Sequence, residues 1–559
     1  MNRIAAVGLA ILLFLLVVLL YLPSLQNGFV WDDHANIVDN RELRTAEGLR
    51  RIWLEPGAVL QYYPLTYTTF WLEHRLWGTH PFGYHLVNIL LHAGAAVLVW
   101  MALGRLGVPN AWLAAAIFAA HPLQVESVSW ASERKTLLAA FFSLCSFLAY
   151  VRFAGFRSGA EREKEPEWVF YRLSMGFFIC AVLSKTVACT LPVVFFLLAW
   201  WRTPKVTVRE VEPLIPMVLI SFVMGLTTMW VEERMGSQGA AWAFSIFDRV
   251  LIAGQSVWFY VWKLVWPFPS IFIYPRWPLD SAWRLVFPLA AIAITGFLWV
   301  RRDRLGKTPL FATLYFVVSL SPTLGFLNFF FMKYSFVADR FQYLAGVGLI
   351  GAAAAVSGRR WRFALVMVLA GLAPATWQYQ KAFQTEETIW RDTIRKNPGA
   401  WMAYNNLGNE LARRGNLQDA AGYFTESVRI NPDHISARIN LGNALWLMGR
   451  AGEALDVLSE TARIWPDHAD AHFVLGTALA QSGRAADAMS HFREAVRLNP
   501  DHADAHHNLG VALAREGKSR EAAIHFAEAL RVRPDFEKAH EHLNRILAEL
   551  ERPADGRTP

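Results

Sequence analysis

Cysteine is almost missing from this chain: 559 residues include three, Cys145, Cys180 and Cys189, all inside apolar segments. An odd and scattered set argues against a disulfide framework or a cysteine-based metal cluster, and it leaves the redox compartment open. Charge is scarce too, at 18% of residues against 54% hydrophobic ones, with 24 Trp and 38 Phe. Such a chain is too apolar for a soluble protein and too long for one domain. No basic helix interleaved with aromatics occurs, which argues against nucleic acid as a partner. No small-x-small site clearly follows the first apolar run, where Tyr21-Leu22-Pro23 stands instead. That run is therefore expected to be a retained anchor rather than a cleaved signal.

What is present is a series of apolar segments at roughly 4–22, 85–104, 110–128, 134–152, 168–183, 186–201, 212–231, 283–300, 309–326, 339–357 and 362–379. Segments of this length and composition cross bilayers as helices, so about eleven spans are expected. The formal charge of +8 is uneven: residues from 401 onward carry about −4, leaving about +12 on the first 400. A basic excess in a membrane part orients it. With the N-terminus inside, Arg152 with Arg157, Arg202 with Lys205, Arg301-Arg302 with Arg304 and Lys307, and Arg359-Arg360 all fall on the cytoplasmic side. The Asp32-Asp33 loop and everything after 380 then lie outside the cytoplasm. A further apolar stretch, 248–266, would invert every later loop. It is expected to be re-entrant or to lie along the interface, which suits Trp258, Tyr260, Trp262 and Trp266. A second interfacial helix is expected from Tyr62 to Trp77.

Beyond 380 the character changes. A linker helix over 381–400 leads to Gly408, Gly442, Gly476 and Gly510, each 34 residues apart, as are Pro398, Pro432, Pro466, Pro500 and Pro534. That period is the tetratricopeptide signature, a pair of helices per repeat. Four repeats are predicted over 401–536, with Ala420, Ala454, Ala488 and Ala522 at the tight crossings and Phe424, Leu458, Phe492 and Phe526 packed behind. A capping helix and tail follow over 537–559. The whole chain is thus expected to be all-α, a polytopic helical bundle followed by an α-solenoid. Such repeats bind peptide or protein in a concave groove, and Asn406, Asn440 and Asn508, at one repeat position with Val474 breaking the series, are the candidate groove residues for an extended acceptor backbone. Their plainer role is to solvate a helix face. Ten of the sixteen histidines lie here, but Asp433-His434, Asp467-His468 and Asp501-His502 are corresponding turn residues a whole repeat apart, not metal ligands.

Candidate chemistry lies in the membrane part. Asn27-Gly28-Phe29-Val30-Trp31-Asp32-Asp33-His34 places two adjacent carboxylates just beyond the first apolar run, where like charges raise each other's proton affinity. A solvated, helix-capping loop is the alternative. His85, Asn88 and His92 share one helical face and suit either substrate binding or interhelical hydrogen bonding. His121-Pro122 with Glu126 adds a third carboxylate. Arg134, Lys135, Lys185 and Arg340 supply cations for a phosphate, or singly are interfacial charges. Four outer loops thus carry what a site needs to deprotonate an acceptor and hold a phosphate leaving group.

Taken together, Gly28 to Asp33, Gly83-Tyr84-His85-Leu86-Val87-Asn88 with His92, His121-Pro122 with Glu126, Leu183-Ser184-Lys185, Pro275 to Pro278, Asp339-Arg340 with Tyr343-Leu344, and the repeats resemble the transmembrane and tetratricopeptide-repeat-containing O-mannosyltransferases and their bacterial relatives. The resemblance implies a GT-C glycosyltransferase fold over 1–380. It implies inverting transfer of a mannose-like sugar from a polyprenyl phosphate to a protein hydroxyl, with Asp32 at the catalytic acidic position, Asp33 supporting it and Glu126 beside them. On this reading His85, Asn88, His121, Tyr274 and Tyr343 contact substrate. The partners are the lipid-linked sugar, a polypeptide acceptor and membrane lipids, and a divalent cation, Mg or Mn, is left open as cofactor. Two departures stand out: Ser132-Glu133-Arg134-Lys135-Thr136 replaces the Gly-Arg-Ala-Asp-like stretch of animal members, and Asp339 replaces the usual Glu. The chain has no Asn-x-Ser/Thr sequon, which favours a bacterial inner membrane with periplasmic repeats over the endoplasmic reticulum. The rival readings are a membrane-anchored repeat scaffold without catalysis, and a transferase acting on a lipid or glycan.

Overall fold

The structure is a computed structural model that describes residues 3–156, 167–203, 205–234, 242–357 and 361–551. Arg157, Arg359 and Arg360, three of the cations assigned to the cytoplasmic side, lie outside the described residues. Among the described residues every regular element is helical, and the chain divides into two compact units, Met1–Asn397 and Pro398–Pro559.

In the first unit, Arg3–Leu20, Pro81–Arg105, Ala131–Phe153, Val208–Arg234 and Ala282–Val300 are long and apolar enough to cross a membrane, and Ala111–Ala120, Trp168–Ser184, Thr186–Arg202 and Gly346–Ser357 are shorter apolar helices. Such helices bury their own backbone polar groups, the condition for sitting in lipid. The first exposes Ile4, Val7, Ile11, Leu15 and Leu19 and buries only Leu13 and Val17, a pattern that needs a hydrocarbon neighbour. The interior is aromatic: Tyr150 stacks on Phe195 with centroids 4.1 Å apart and rings 2° from parallel.

Two of the expected segments are broken. The segment over 110–128 stops at Ala120, because His121 precedes a proline and takes an extended backbone (φ −74, ψ 132). The chain then folds through Pro122–Gln124 and Val125–Ser129 before Arg134–Phe153 begins. The segment over 339–357 opens with a separate turn, Asp339–Gln342, and its helix starts at Gly346. Both breaks deliver polar residues to the interior. The stretch expected to be re-entrant or interfacial is one continuous helix, Ile246–Val265, opened by a Ser245–Asp248 capping box. It buries Leu251, Ile252 and Tyr260 and exposes Trp262 and Val265. The helix expected near Tyr62 to Trp77 is Pro64–Trp77.

The helix expected as a linker over 381–400 is Glu386–Lys396, and it is part of the first unit. Its Trp390 is fully buried, Lys396 Nζ donates to the Ser270 carbonyl (2.8 Å) and Asn397 Nδ2 to the Ile273 carbonyl (3.0 Å). The boundary therefore falls at 397/398 and not at 380.

The second unit contains four helix pairs, from Trp401–Arg413 with Leu417–Ile430 to Ala503–Arg515 with Ser519–Val532, and the cap Glu537–Glu551. A Cβ at Gly408 would stand 2.6 Å from the Phe424 ring, so the glycine lets the paired helices approach.

Candidate functional site

The site grows from the loop after the first helix. Trp31 has φ +50, a left-handed backbone that is costly for a tryptophan. It is held there from several sides. Its ring stacks on Trp130 (5.5 Å, 15°) and meets Phe272 edge-on. Its N–H donates to Glu386 Oε1 (2.7 Å), whose other oxygen accepts from Trp390 Nε1 (3.1 Å). The Gly28 N–H donates to the Gln384 carbonyl (2.9 Å), and the His85 imidazole lies 3.3 Å from the Gly28 carbonyl. This turn fixes the two carboxylates that follow.

Asp33 is fully buried. One oxygen accepts from the Ser132 N–H (2.7 Å) and hydroxyl (2.5 Å), the other from the Val30 N–H (3.0 Å). Burial and the neighbouring Asp32 charge push its pKa up to about 8, against the pull of those donors. Asp33 is thus an organiser of the loop. Asp32 is the freer of the pair, its Oδ1 buried with no hydrogen-bond partner among the described residues. Burial raises its pKa above the carboxylate range; Lys135 and Arg340 oppose this and Glu133 adds to it.

Facing Asp32 is a buried ion cluster centred on Glu133. Lys185 Nζ lies 3.3 Å from Glu133 Oε2, Lys135 Nζ 3.5 Å from Oε1, and Arg340 Nε 3.5 Å from Oε1. Arg340 also pairs through Nη1 with Glu126, whose second oxygen accepts the Arg340 N–H (3.0 Å). Lys185 donates to Thr136 Oγ1 (2.8 Å) and Lys135 to Gln61 Oε1 (3.0 Å). The Arg340 guanidinium lies 4.2 Å from the Phe331 ring centroid and 5.3 Å from that of Trp130. Three cations meet Glu126 and Glu133 here, and Asp32, which feels Lys135 and Arg340, is a third carboxylate; the cluster is balanced with Asp32 ionised and holds one positive charge in excess once Asp32 is protonated. Lys185 and Arg340 also line a narrow cavity with Tyr343. It shares Ser143, Leu191, Val194, Tyr315 and Leu344 with an apolar groove that continues between helices to Leu106, Trp201 and Phe311.

The structure brings Asp32, Asp33, Glu126, Lys135, Lys185 and Arg340 together. The remaining expected residues serve other contacts. Arg134 is fully buried and its donors go to Asn88 Oδ1 (2.5 Å), Glu73 Oε1 (2.5 Å) and the Tyr84 carbonyl (2.8 Å). It is a scaffold cation, not one turned to a phosphate. Asn88 clamps the Val128 and Trp130 carbonyls. His121 Nε2 reaches the Leu264 carbonyl (3.2 Å). His92 bonds the Tyr343 hydroxyl (2.6 Å), and Tyr274 donates to Asp339 Oδ1 (2.8 Å). In the repeats, Asn440 Nδ2 donates to Asn405 and Asn409 and so ties neighbouring helices, whereas Asn406 Nδ2 donates to Met402 Sδ within its own helix. Glu133, Thr136, Gln61 and Glu386 are the functional candidates that sequence reasoning leaves unassigned. Only Glu133 carries a signal, as an acid beside two cations in an apolar run. Among the described residues no three His, Cys, Asp or Glu side chains gather into a metal-ligating group.

An apolar helical unit with a buried ion cluster at one end, followed by paired-helix repeats, defines the class: a polytopic membrane protein carrying a tetratricopeptide-repeat unit. Family models described as tetratricopeptide repeat match residues 401–434, 439–503 and 479–550. Within that class the chain is similar to the fruit-fly (Drosophila melanogaster) protein O-mannosyl-transferase Tmtc3, with 24% identity over 73% of this chain and 53% of that one. It is also similar to the human (Homo sapiens) protein O-mannosyl-transferases TMTC4, at 33% over 30% of this chain and 26% of that one, and TMTC3, at 34% over 24% and 16%. The chain spans about half or less of the length of these curated relatives. Among solved structures, the TPR protein YrrB matches at 22% identity over 33% of this chain and 92% of its own, with a TM-score of 0.24.

Proposed function

We propose that the chain is a membrane glycosyltransferase that moves a sugar, mannose-like by resemblance, from a polyprenyl phosphate to a hydroxyl of a protein acceptor. The observation that carries this reading is that Lys185 and Arg340 line a cavity continuous with an apolar groove and share their ion cluster with Lys135 and the freer Asp32 carboxylate. Lys185 and Arg340 stand where a lipid phosphate would be neutralised, the groove beyond them accepts an isoprenoid tail, and Asp32 faces the same cluster. The similarity to protein O-mannosyl-transferases points the same way.

In this mechanism the acceptor oxygen attacks the anomeric carbon from the side opposite the phosphate, and Asp32 takes the hydroxyl proton. The bond from the anomeric carbon to the phosphate oxygen breaks, and the polyprenyl phosphate leaves with its electron pair, neutralised by Lys185, Arg340 and Lys135. One displacement inverts the anomeric centre. Asp33, held by Ser132 and Val30, keeps the loop in register. The site and repeats are assigned to the non-cytoplasmic side, in a bacterial inner membrane the periplasm, and the repeats recruit the polypeptide.

The test is transfer from a synthetic polyprenyl-phosphate mannose by purified variants in nanodiscs. Asp32→Asn keeps shape and removes basicity, so turnover is expected to fall by roughly 10² to 10⁴ with donor binding nearly unchanged. Turnover within a few-fold of the parent overturns the assignment of the base.

A further inference from the structure

A second cavity lies apart from the one lined by Lys185 and Arg340. It has a volume of about 800 Å³ and is lined entirely by the first unit, from Pro122, Trp266 to Ser270 and Ala375 to residues of the Glu386–Lys396 helix. Its chemistry is two-sided. Trp266, Phe268 and Pro269 form an apolar edge, while Lys381, Arg391, Arg395 and Lys396 present four cations. Asp392 is the one carboxylate in the lining, paired with Arg395 and Lys396, and Glu387 pairs with Arg391 (2.8 Å). Even with both acids counted, two positive charges remain in excess.

A second observation is independent of charge. Tyr379 lines the cavity, is 8% exposed, and its hydroxyl is buried with no hydrogen-bond partner among the described residues. Such an orphan calls for a partner that the protein does not supply. A phosphate oxygen is an acceptor of the required kind.

The surroundings identify the source of that phosphate. Beside the cavity the Ile246–Val265 helix ends with Trp262 60%, Val265 74% and Trp266 54% exposed, Phe268 is 44% exposed, and Trp377 on the Arg362–Tyr379 helix is 44% exposed. Exposed tryptophans at the ends of apolar helices mark the boundary between hydrocarbon and water. A basic pocket at that depth meets phospholipid head groups before any soluble ligand.

We propose that this cavity binds the head group of an anionic phospholipid, its phosphate among Lys381, Arg391 and the Tyr379 hydroxyl and its acyl chains along Trp266 and Phe268. The Glu386–Lys396 helix that supplies Arg391 also holds Trp31 through Glu386, so the bound lipid braces the loop that carries Asp32. The binding itself does not depend on the transferase reading.

Native mass spectrometry tests it on the full chain released from nanodiscs of mixed phosphatidylglycerol and phosphatidylcholine. The parent is expected to retain one phosphatidylglycerol in preference to phosphatidylcholine. Near a membrane surface each basic residue contributes roughly fivefold in affinity, so Lys381→Gln with Arg391→Gln is expected to lose about 30-fold. Tyr379→Phe keeps the ring and the fold and is expected to lose several-fold. Equal retention of the two lipids by the parent, or parent-like retention by both variants, overturns the proposal. So does selective binding of an oligoglutamate peptide with no preference between the lipids, which would make the cavity a polypeptide site.

Discussion

Lys185 is the residue whose ionisation the site depends on most directly. It lies in the turn between two apolar helices, and burial lowers its pKa to about 8 against the pull of Glu133. Above that value it sheds its proton, Glu133 loses a partner, and the cluster loses one of its three cations. Asp32 works in the opposite sense: burial holds its pKa above the ordinary range, and in its proposed role as the base it serves only when ionised. Activity should therefore fall as pH drops through the raised Asp32 value and fall again above about 8. A pH profile of transfer checks this, and Lys185→Arg decides its origin. Arginine stays charged throughout the accessible range, so the alkaline limb should move up while the acid limb stays. An alkaline limb unmoved by that substitution would assign it to another group.

At the scale of elements, the repeats show how one atom sets a helix crossing. In the first repeat, Gly408 faces the Phe424 ring, where a Cβ would stand at 2.6 Å, whereas Gly422 faces open space. Gly408→Ala should destabilise by about 1–3 kcal/mol through overpacking. Gly422→Ala should instead stabilise by roughly 0.5–1 kcal/mol through helix propensity. Hydrogen exchange of the Trp401–Arg413 amides in the full chain reads both, and because repeats couple mainly to neighbours the effects should fade along the array. These elements were legible in advance because each repeats one signal: 34 residues for the solenoid, and a run of apolar residues for each membrane helix. What hydropathy smooths over is a polar break inside an apolar run. His121-Pro122 and Asp339 to Gln342 are such breaks, and the interior positions of Glu126 and Arg340 depend on them. The cations of the site could be named from their loops, but their meeting at Glu133 could not, because Lys185 and Arg340 reach it across 52 and 207 residues of chain. Arg134 misleads for the same reason: its partner Glu73 is 61 residues away.

For the whole molecule, the question is which unit owns the chemistry and which the choice of acceptor. Asp32, Glu126, Glu133, Lys135, Lys185 and Arg340 all belong to Met1–Asn397, and so does the Glu386–Lys396 helix that holds Trp31. The last side chains of that unit are anchored within it, Lys396 on Ser270 and Asn397 on Ile273. A cut after residue 397 therefore leaves in place the hydrogen bonds that tie Gly28, Trp31 and Asp33 to Gln384, Glu386 and Ser132, whereas a cut at 380 would strip Glu386 from the Trp31 N–H and release the left-handed turn. The two truncations should behave differently. The chain ending at 397 should still transfer sugar to a small hydroxyl acceptor at near-parental turnover and lose modification of the native polypeptide. The chain ending at 380 should lose both, even when it is recovered folded from membranes. Comparing the two acceptors across the two truncations separates catalysis from recruitment. Loss of small-acceptor transfer at 397, with the protein still folded, would place part of the catalytic machinery in the repeats.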